Sequence, residues 1–92
     1  WQLVMQGHSA ANTLPVIASN RIGTETNEKF SMTFYGSSFI TDGTGVKVKE
    51  CSRDREEYII HKFDLDSLQE HRSSWGFFRD RRTDLYKDIL KD

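Results

Sequence analysis

Leu14-Pro15-Val16-Ile17-Ala18-Ser19 is a short, continuous apolar run rich in β-branched residues, and what flanks it decides the fold. Such a run suits a strand covered on both faces, and Pro15, which lacks a ladder donor, belongs at the strand's first residue or facing an edge. Ahead of it, Trp1, Val4, Met5, His8 and Ala11 follow the spacing of one helix face, with Gln2, Gln6 and Ser9 opposite. That pattern predicts the second half of an amphipathic helix, ended by Asn12 and Thr13. Gly7 weakens the helix by up to about 1 kcal/mol relative to Ala. A lone His8 on the apolar face reads as a packing residue rather than a ligand or base. A helix feeding a buried strand points to a layered α/β protein.

Behind the run come Asn20-Arg21-Ile22-Gly23. Polar groups at the carboxyl end of a strand stand where open α/β sheets place ligands, so Asn20 and Arg21 are the substrate-binding candidates; the plainer alternative is a loop that the two residues anchor. Thr24 to Lys29 is polar and aperiodic and reads as a surface loop. Phe30 to Ile40 alternates with period two and carries apolar residues on both faces, which predicts one interior strand with small residues Gly36, Ser37 and Ser38 at its centre. Neither serine sits in a nucleophile elbow, so both are assigned to packing. Asp42-Gly43-Thr44-Gly45 is a turn, and Val46 to Glu50 completes a hairpin. Glu56 to Leu65 predicts a third strand. Ser67 with Glu70 three residues later predicts a capped helix that Gly76 stops in a left-handed position, and residues 84–90 a last short helix packed on the core.

Charge and cysteine usage narrow the function classes. The 92 residues hold 13 Lys and Arg against 14 Asp and Glu, a net charge of -1, which gives no steering toward nucleic acid or an anionic membrane. The single cysteine, Cys51, excludes an internal disulfide and a thiolate zinc cluster and fits a reducing compartment, hence a cytoplasmic expectation. A reactive Cys51, paired with His61, is disfavoured because a charged turn offers neither a helix dipole nor an oxyanion hole. No run approaches the roughly 20 apolar residues that span a bilayer. Beginning at Trp1 within a helix, without an initiating Met or a signal-like segment, the chain is expected to be a fragment. Residues 75–86 concentrate aromatics (Trp75, Phe77, Phe78, Tyr86) and Arg79, Arg81 and Arg82, with Asp80, Asp84, Asp88 and Asp92 nearly cancelling the cations. This is expected to be a strap on a core or a subunit interface, not an RNA-binding patch.

In order, Met5-Gln6-Gly7-His8 with Ala11-Asn12, Ala18-Ser19-Asn20-Arg21-Ile22-Gly23, Phe34-Tyr35-Gly36-Ser37-Ser38-Phe39-Ile40, Phe63-Asp64-Leu65-Asp66, Ser74-Trp75-Gly76, Phe78-Arg79-Asp80-Arg81-Arg82 and Asp84-Leu85-Tyr86 resemble the C-terminal third of the nitrilase-like carbon-nitrogen hydrolases. The likeness is strongest to the branch that hydrolyses N-carbamoylputrescine. Gly43 and Thr83 stand where many relatives have proline, and Lys29 to Met32 departs from the pattern. The resemblance implies the C-terminal portion of an α-β-β-α sandwich, ordered helix, strand, loop, strand hairpin, strand, helix and tail, with residues 1–92 forming a partial domain. It implies a Glu-Lys-Cys triad in which the thiolate attacks the carbamoyl carbon, Glu moves protons and Lys stabilises developing negative charge. None of the three carries over onto this chain, so no catalytic residue is assigned to it and the chain alone is expected to be inactive. No cofactor and no metal are implied. The partners implied are a small-molecule substrate and a second copy of the chain, a homo-oligomer formed through the 75–86 tail. The alternatives are a stand-alone non-catalytic oligomerisation module, or a relative acting on 3-ureidopropionate or an ω-amide.

Overall fold

A computed structural model describes residues 1–91, so Asp92 and its part in balancing the tail's cations lie outside the described residues. The elements are α1 (Gln2–Asn12), β1 (Ile17–Ala18), β2 (Ile22–Thr26), β3 (Ser31–Tyr35), β4 (Phe39–Thr41), β5 (Lys47–Glu50) and α2 (Leu65–Trp75), followed by two 3-10 turns at Thr83–Leu85 and Lys87–Leu90. β1, β4 and β5 form an antiparallel sheet in that order, and β2 pairs with β3 in a separate two-stranded ribbon.

Helix α1 is present as expected and Thr13 ends it in the left-handed region at φ 48°, but the face it buries is the polar one. Ser9 and Thr41 are fully buried. The Ser9 Oγ lies 2.7 Å from the Leu14 carbonyl and 2.8 Å from that of Asp42, and it accepts from the Thr41 hydroxyl at 2.8 Å. Gln6 donates to the Gly45 carbonyl and Gln2 to that of Ser37. Each contact satisfies a loop carbonyl, which explains why the polar stripe faces inward. The expected apolar face remains open, with Val4, His8 and Ala11 exposed and neighbouring Leu3 82 % exposed. Trp1 does pack, edge-on against Phe39 at 5.2 Å.

Three strand expectations are corrected. The run at Leu14–Ser19 gives only the two-residue β1, covered on one face: Ala18 is buried while Ile17 is 69 % exposed. The single long strand at 30–40 is two strands belonging to two sheets, because Gly36 and Ser37 both take left-handed backbone, at φ 58° and 59°. Its first half pairs with Ile22–Thr26, so residues 24–26, expected in a loop, are strand, and an Asn27–Phe30 turn joins the two, closed by the Asn27 amide on the Phe30 carbonyl. The third strand at 56–65 is not formed. β5 instead ends the sheet, with Val48 as an extra residue between the Ile40–Lys49 and Thr41–Lys47 pairs, a bulge.

Helix α2 starts a turn earlier than Ser67 implied. Asp64 is its N-cap, accepting the Asp66 and Ser67 amides at 3.1 Å, and Gly76 stops it at φ 64° as expected. Leu68 rests on Gly43, where a Cβ would meet its Cδ2 at 2.9 Å. Beyond α2, Phe77 lies near Ala10, Thr13 and Gly43, but the described residues after it bury no apolar side chain. Leu85, Tyr86, Ile89 and Leu90 are exposed, and the expected last helix is reduced to the two 3-10 turns.

Among the described residues the buried apolar side chains are Ala18, Phe39 and Ile40. The radius of gyration is 18.2 Å, against about 12 Å for a compact chain of this length. So small a core cannot offset the conformational entropy of ordering the chain. The 92-residue chain alone is therefore expected to bind an apolar dye and melt over a broad range; a sharp cooperative melt at monomeric mass contradicts this.

The turn before β5 titrates. Burial pushes the Asp42 carboxyl up, but hydrogen bonds from the Thr44 hydroxyl and from the Thr44, Val46 and Gly45 amides outweigh it and hold the group below the usual aspartate range. A depressed pKa contributes stability above the unfolded value that disappears as pH falls through the folded one. In acid titrations followed by NMR, the Thr44 and Val46 amide shifts are expected to move together, with a midpoint below about 3.9; a midpoint at or above that value contradicts the turn.

Candidate functional site

A dense polar construction forms where three segments cross, at residues 20–22, 36–38 and 51–53. The Asn20 amide donates to the Gly36 carbonyl at 2.8 Å, and its backbone N–H donates to the Ser38 hydroxyl at 2.8 Å. Its side-chain oxygen accepts the Arg21 N–H at 2.9 Å. Gly36 donates to the Arg21 carbonyl, Ser37 to the Ser52 carbonyl and Cys51 to the Ser38 carbonyl, at 2.7 to 3.0 Å. A Cβ on Gly36 would stand 2.7 Å from Ile22 Cγ2, 2.8 Å from the Ser52 carbonyl and 2.9 Å from that of Arg53. Only glycine fits there, by space and by backbone conformation.

Beside the crossing, Ala18, Asn20, Ser38, Phe39, Cys51 and Tyr58 contribute to the walls of a groove of about 350 Å³. Glu57 stands at its rim, and hydrogen bonds from Ser52 hold its carboxyl below the ordinary glutamate range. Of the two sequence candidates, Asn20 reaches this groove while spending its side chain on the crossing. The Arg21 guanidinium pairs with Glu25 and lies 4.4 Å above the Phe34 ring, on the ribbon. The structure joins the two through their backbone but does not set their functional ends on one target. Ser38, expected to serve packing alone, and Glu57 both line the groove, and no spacing in the sequence links either to residue 20.

Among the described residues the groove is lined by one thiol, Cys51, with no histidine beside it. His61 sits edge-on to Phe63 at 4.7 Å. The Lys47–Glu50 pair, at 2.6 Å, is occupied in fastening Gln2 of α1. Among the described residues no group of three or more His, Cys, Asp or Glu could hold a metal ion.

The tail presents a second surface. Trp75 stacks on Phe77 at 5.5 Å, and the Arg72 and Arg81 guanidinium groups lie 4.5 and 5.4 Å from the Phe78 ring. Arg79 pairs with Asp80 and Arg82 with Asp84, two forked pairings. Asp88 meets Lys91 rather than an arginine. The aromatic residues thus pack on one another and on cations while remaining exposed.

A carbon-nitrogen hydrolase family model matches residues 1–73. A citrullinase of Francisella tularensis is 54 % identical over 99 % of this chain and 32 % of its own length. An N-carbamoylputrescine amidase of Arabidopsis thaliana is 50 % identical over 98 % of this chain and 31 % of its own length. The crystal structure of a carbon-nitrogen hydrolase from Helicobacter pylori superposes with a TM-score of 0.86 at 41 % identity, covering 99 % of this chain and 32 % of that one. The chain spans about a third of the length of the relatives it matches.

Replacing Asn20 with Asp removes the donor to the Gly36 carbonyl and sets a carboxylate against it, a loss of about 1 to 1.5 kcal/mol or more. Amide exchange at Gly36 and Ser37 is expected to quicken by roughly tenfold; unchanged exchange means that the crossing does not depend on Asn20.

Proposed function

The chain belongs to the carbon-nitrogen hydrolase family, and from that premise we propose that residues 1–92 form the C-terminal third of an amidase domain that cleaves the carbamoyl C–N bond of N-carbamoylputrescine. The products are putrescine, carbon dioxide and ammonia, with one water consumed. The observation that carries the reading is the near-complete match of this chain to several N-carbamoylputrescine amidases at similar identity. A second reading is favoured by the citrullinase match: citrulline carries the same terminal ureido group on a short alkyl chain and differs at its amino-acid end. The common chemistry is attack on a ureido carbonyl, with the alkyl end setting the choice.

In this proposal the thiolate, the lysine and the glutamate of the reaction come from outside the 92 residues, and Cys51 is not the nucleophile. Asn20 and Arg21 are the substrate-binding residues of this reading: Asn20 lines the groove and fixes the backbone from which Arg21 extends. The exposed aromatic surface at 75–86 is the contact between copies in a homo-oligomer, with no role for nucleic acid or membrane. The single unpaired cysteine supports a cytoplasmic setting. No helix among the described residues is long and apolar enough to cross a membrane.

The polypeptide that carries this chain in its source is expected to release ammonia from N-carbamoylputrescine with kcat/KM at least roughly tenfold above that for 3-ureidopropionate, a discrimination of about 1.4 kcal/mol. The 92-residue chain alone is expected to release none. Preference for citrulline moves the assignment to the second reading, and release from no ureido compound overturns both.

A further inference from the structure

Ser37 is a buried residue held in the left-handed region at φ 59°, directly after Gly36 at 58°. In a residue other than glycine such backbone persists only where its surroundings over-determine it, and it collects at switch points. Two bonds hold Ser37. Its N–H donates to the Ser52 carbonyl at 3.0 Å, a main-chain bond, and its carbonyl accepts the side-chain amide of Gln2, on α1, at 3.0 Å. Gln2 is itself gripped. The same Nε2 donates to Glu50 at 2.6 Å, its Oε1 accepts the Lys47 ammonium at 3.0 Å, and Lys47 closes the ring on Glu50 at 2.6 Å. Hydrogen bonds from Gln2 and from Lys47 hold the Glu50 carboxyl below the ordinary glutamate range, so the ring keeps its charge at neutral pH. A clasp of three side chains from α1 and β5 thus closes on one carbonyl of the reversal.

We propose that Ser37 is a two-state hinge for the β2–β3 ribbon and that the Gln2–Lys47–Glu50 clasp is its latch, so that a shift of α1 away from β5 frees the ribbon to swing. The ribbon is built to move as a unit. Its two strands are paired along their whole length, and outside Ile22 and Phe34 all of their residues are exposed. Opposite Phe34, Gly23 also takes left-handed backbone, at φ 89°, with open space where a Cβ would stand, so the second strand bends at the same level without a clash. The helix end that carries Gln2 meets the ribbon once more, where Trp1 lies edge-on to Tyr35 at 6.3 Å. Helix position and ribbon attitude are therefore read by one group of contacts. Every member of the group lies within this chain, and the inference does not rest on which ureido compound is hydrolysed.

The test follows hydrogen exchange by mass spectrometry in the polypeptide that carries this chain in its source. Gln2→Ala opens the clasp, and peptides covering β2 and β3 are expected to exchange roughly fivefold faster or more, while those covering β4 and β5 stay within about twofold. Ser37→Gly removes the conformational penalty, so in that background Gln2→Ala is expected to leave the ribbon within about twofold. Lys47→Met keeps the stem and removes the ammonium that steadies Gln2; it is expected to quicken the same peptides by a smaller factor, and it decides alone if Gln2→Ala yields no folded protein. Three results overturn the proposal: no quickening at 22–35, equal quickening in β4 and β5, which is a plain loss of stability, or an undiminished effect of Gln2→Ala beside Ser37→Gly. Because no substrate enters the readout, loss of the ureido reading leaves this outcome intact.

Discussion

The missing side chain of Gly36 is the constraint on which the rest of the chain depends. Three backbone segments meet around it closely enough that a methyl group would strike two carbonyls and an isoleucine. With Ser37 also in the left-handed region, the chain leaves the β2–β3 ribbon and enters the β1–β4–β5 sheet within three residues. Ser37 is not a glycine, and its conformation costs of order 1 to 3 kcal/mol. Its amide on the Ser52 carbonyl and its own carbonyl under the Gln2 amide hold it there. One reversal therefore fixes the ribbon, the placement of α1 and the approach of residues 51–53.

Much of this was legible in the sequence, and the misreadings share a cause. The helix at 1–12, the turn at Asp42, the stop at Gly76 and the pairing of tail arginines with Asp80 and Asp84 follow from local chemistry, which needs no distant partner. The break at residue 36 was hidden because period-two alternation runs straight through it, and Ser37 carries no signal of positive φ. The third strand expected at 56–65 is not formed, because alternation supplies a pattern while a strand exists only with a neighbour. Asn20 draws notice in the sequence because it is a polar residue that follows a strand. That its amide would be consumed by Gly36 depends on a contact 16 residues away, which no spacing reveals.

Helix α1 shows how hydropathy misleads when packing is incomplete. Its apolar stripe faces solvent and its polar stripe carries the specific contacts, because Gln2, Gln6 and Ser9 each answer a loop carbonyl that has no strand to pair with. The residues that fix where this helix sits are hydrophilic. A second layer laid over Leu3 and Val4 would make the helix buried all round, consistent with a slab only 15 Å thick along its shortest axis.

The unpaired run at 58–63 has a cost outside the folded state. A six-residue window of aromatic and β-branched residues with free backbone groups is the composition that nucleates cross-β deposits. Here it is flanked by Glu56 and Glu57 on one side, interrupted by Lys62 and followed by Asp64. Those charges act as gatekeepers, opposing the in-register stacking that would set like charges one above another. Protection of this segment from stacking thus falls to a few ionised side chains close beside it, and the net charge of the chain, -1, carries no trace of that local role.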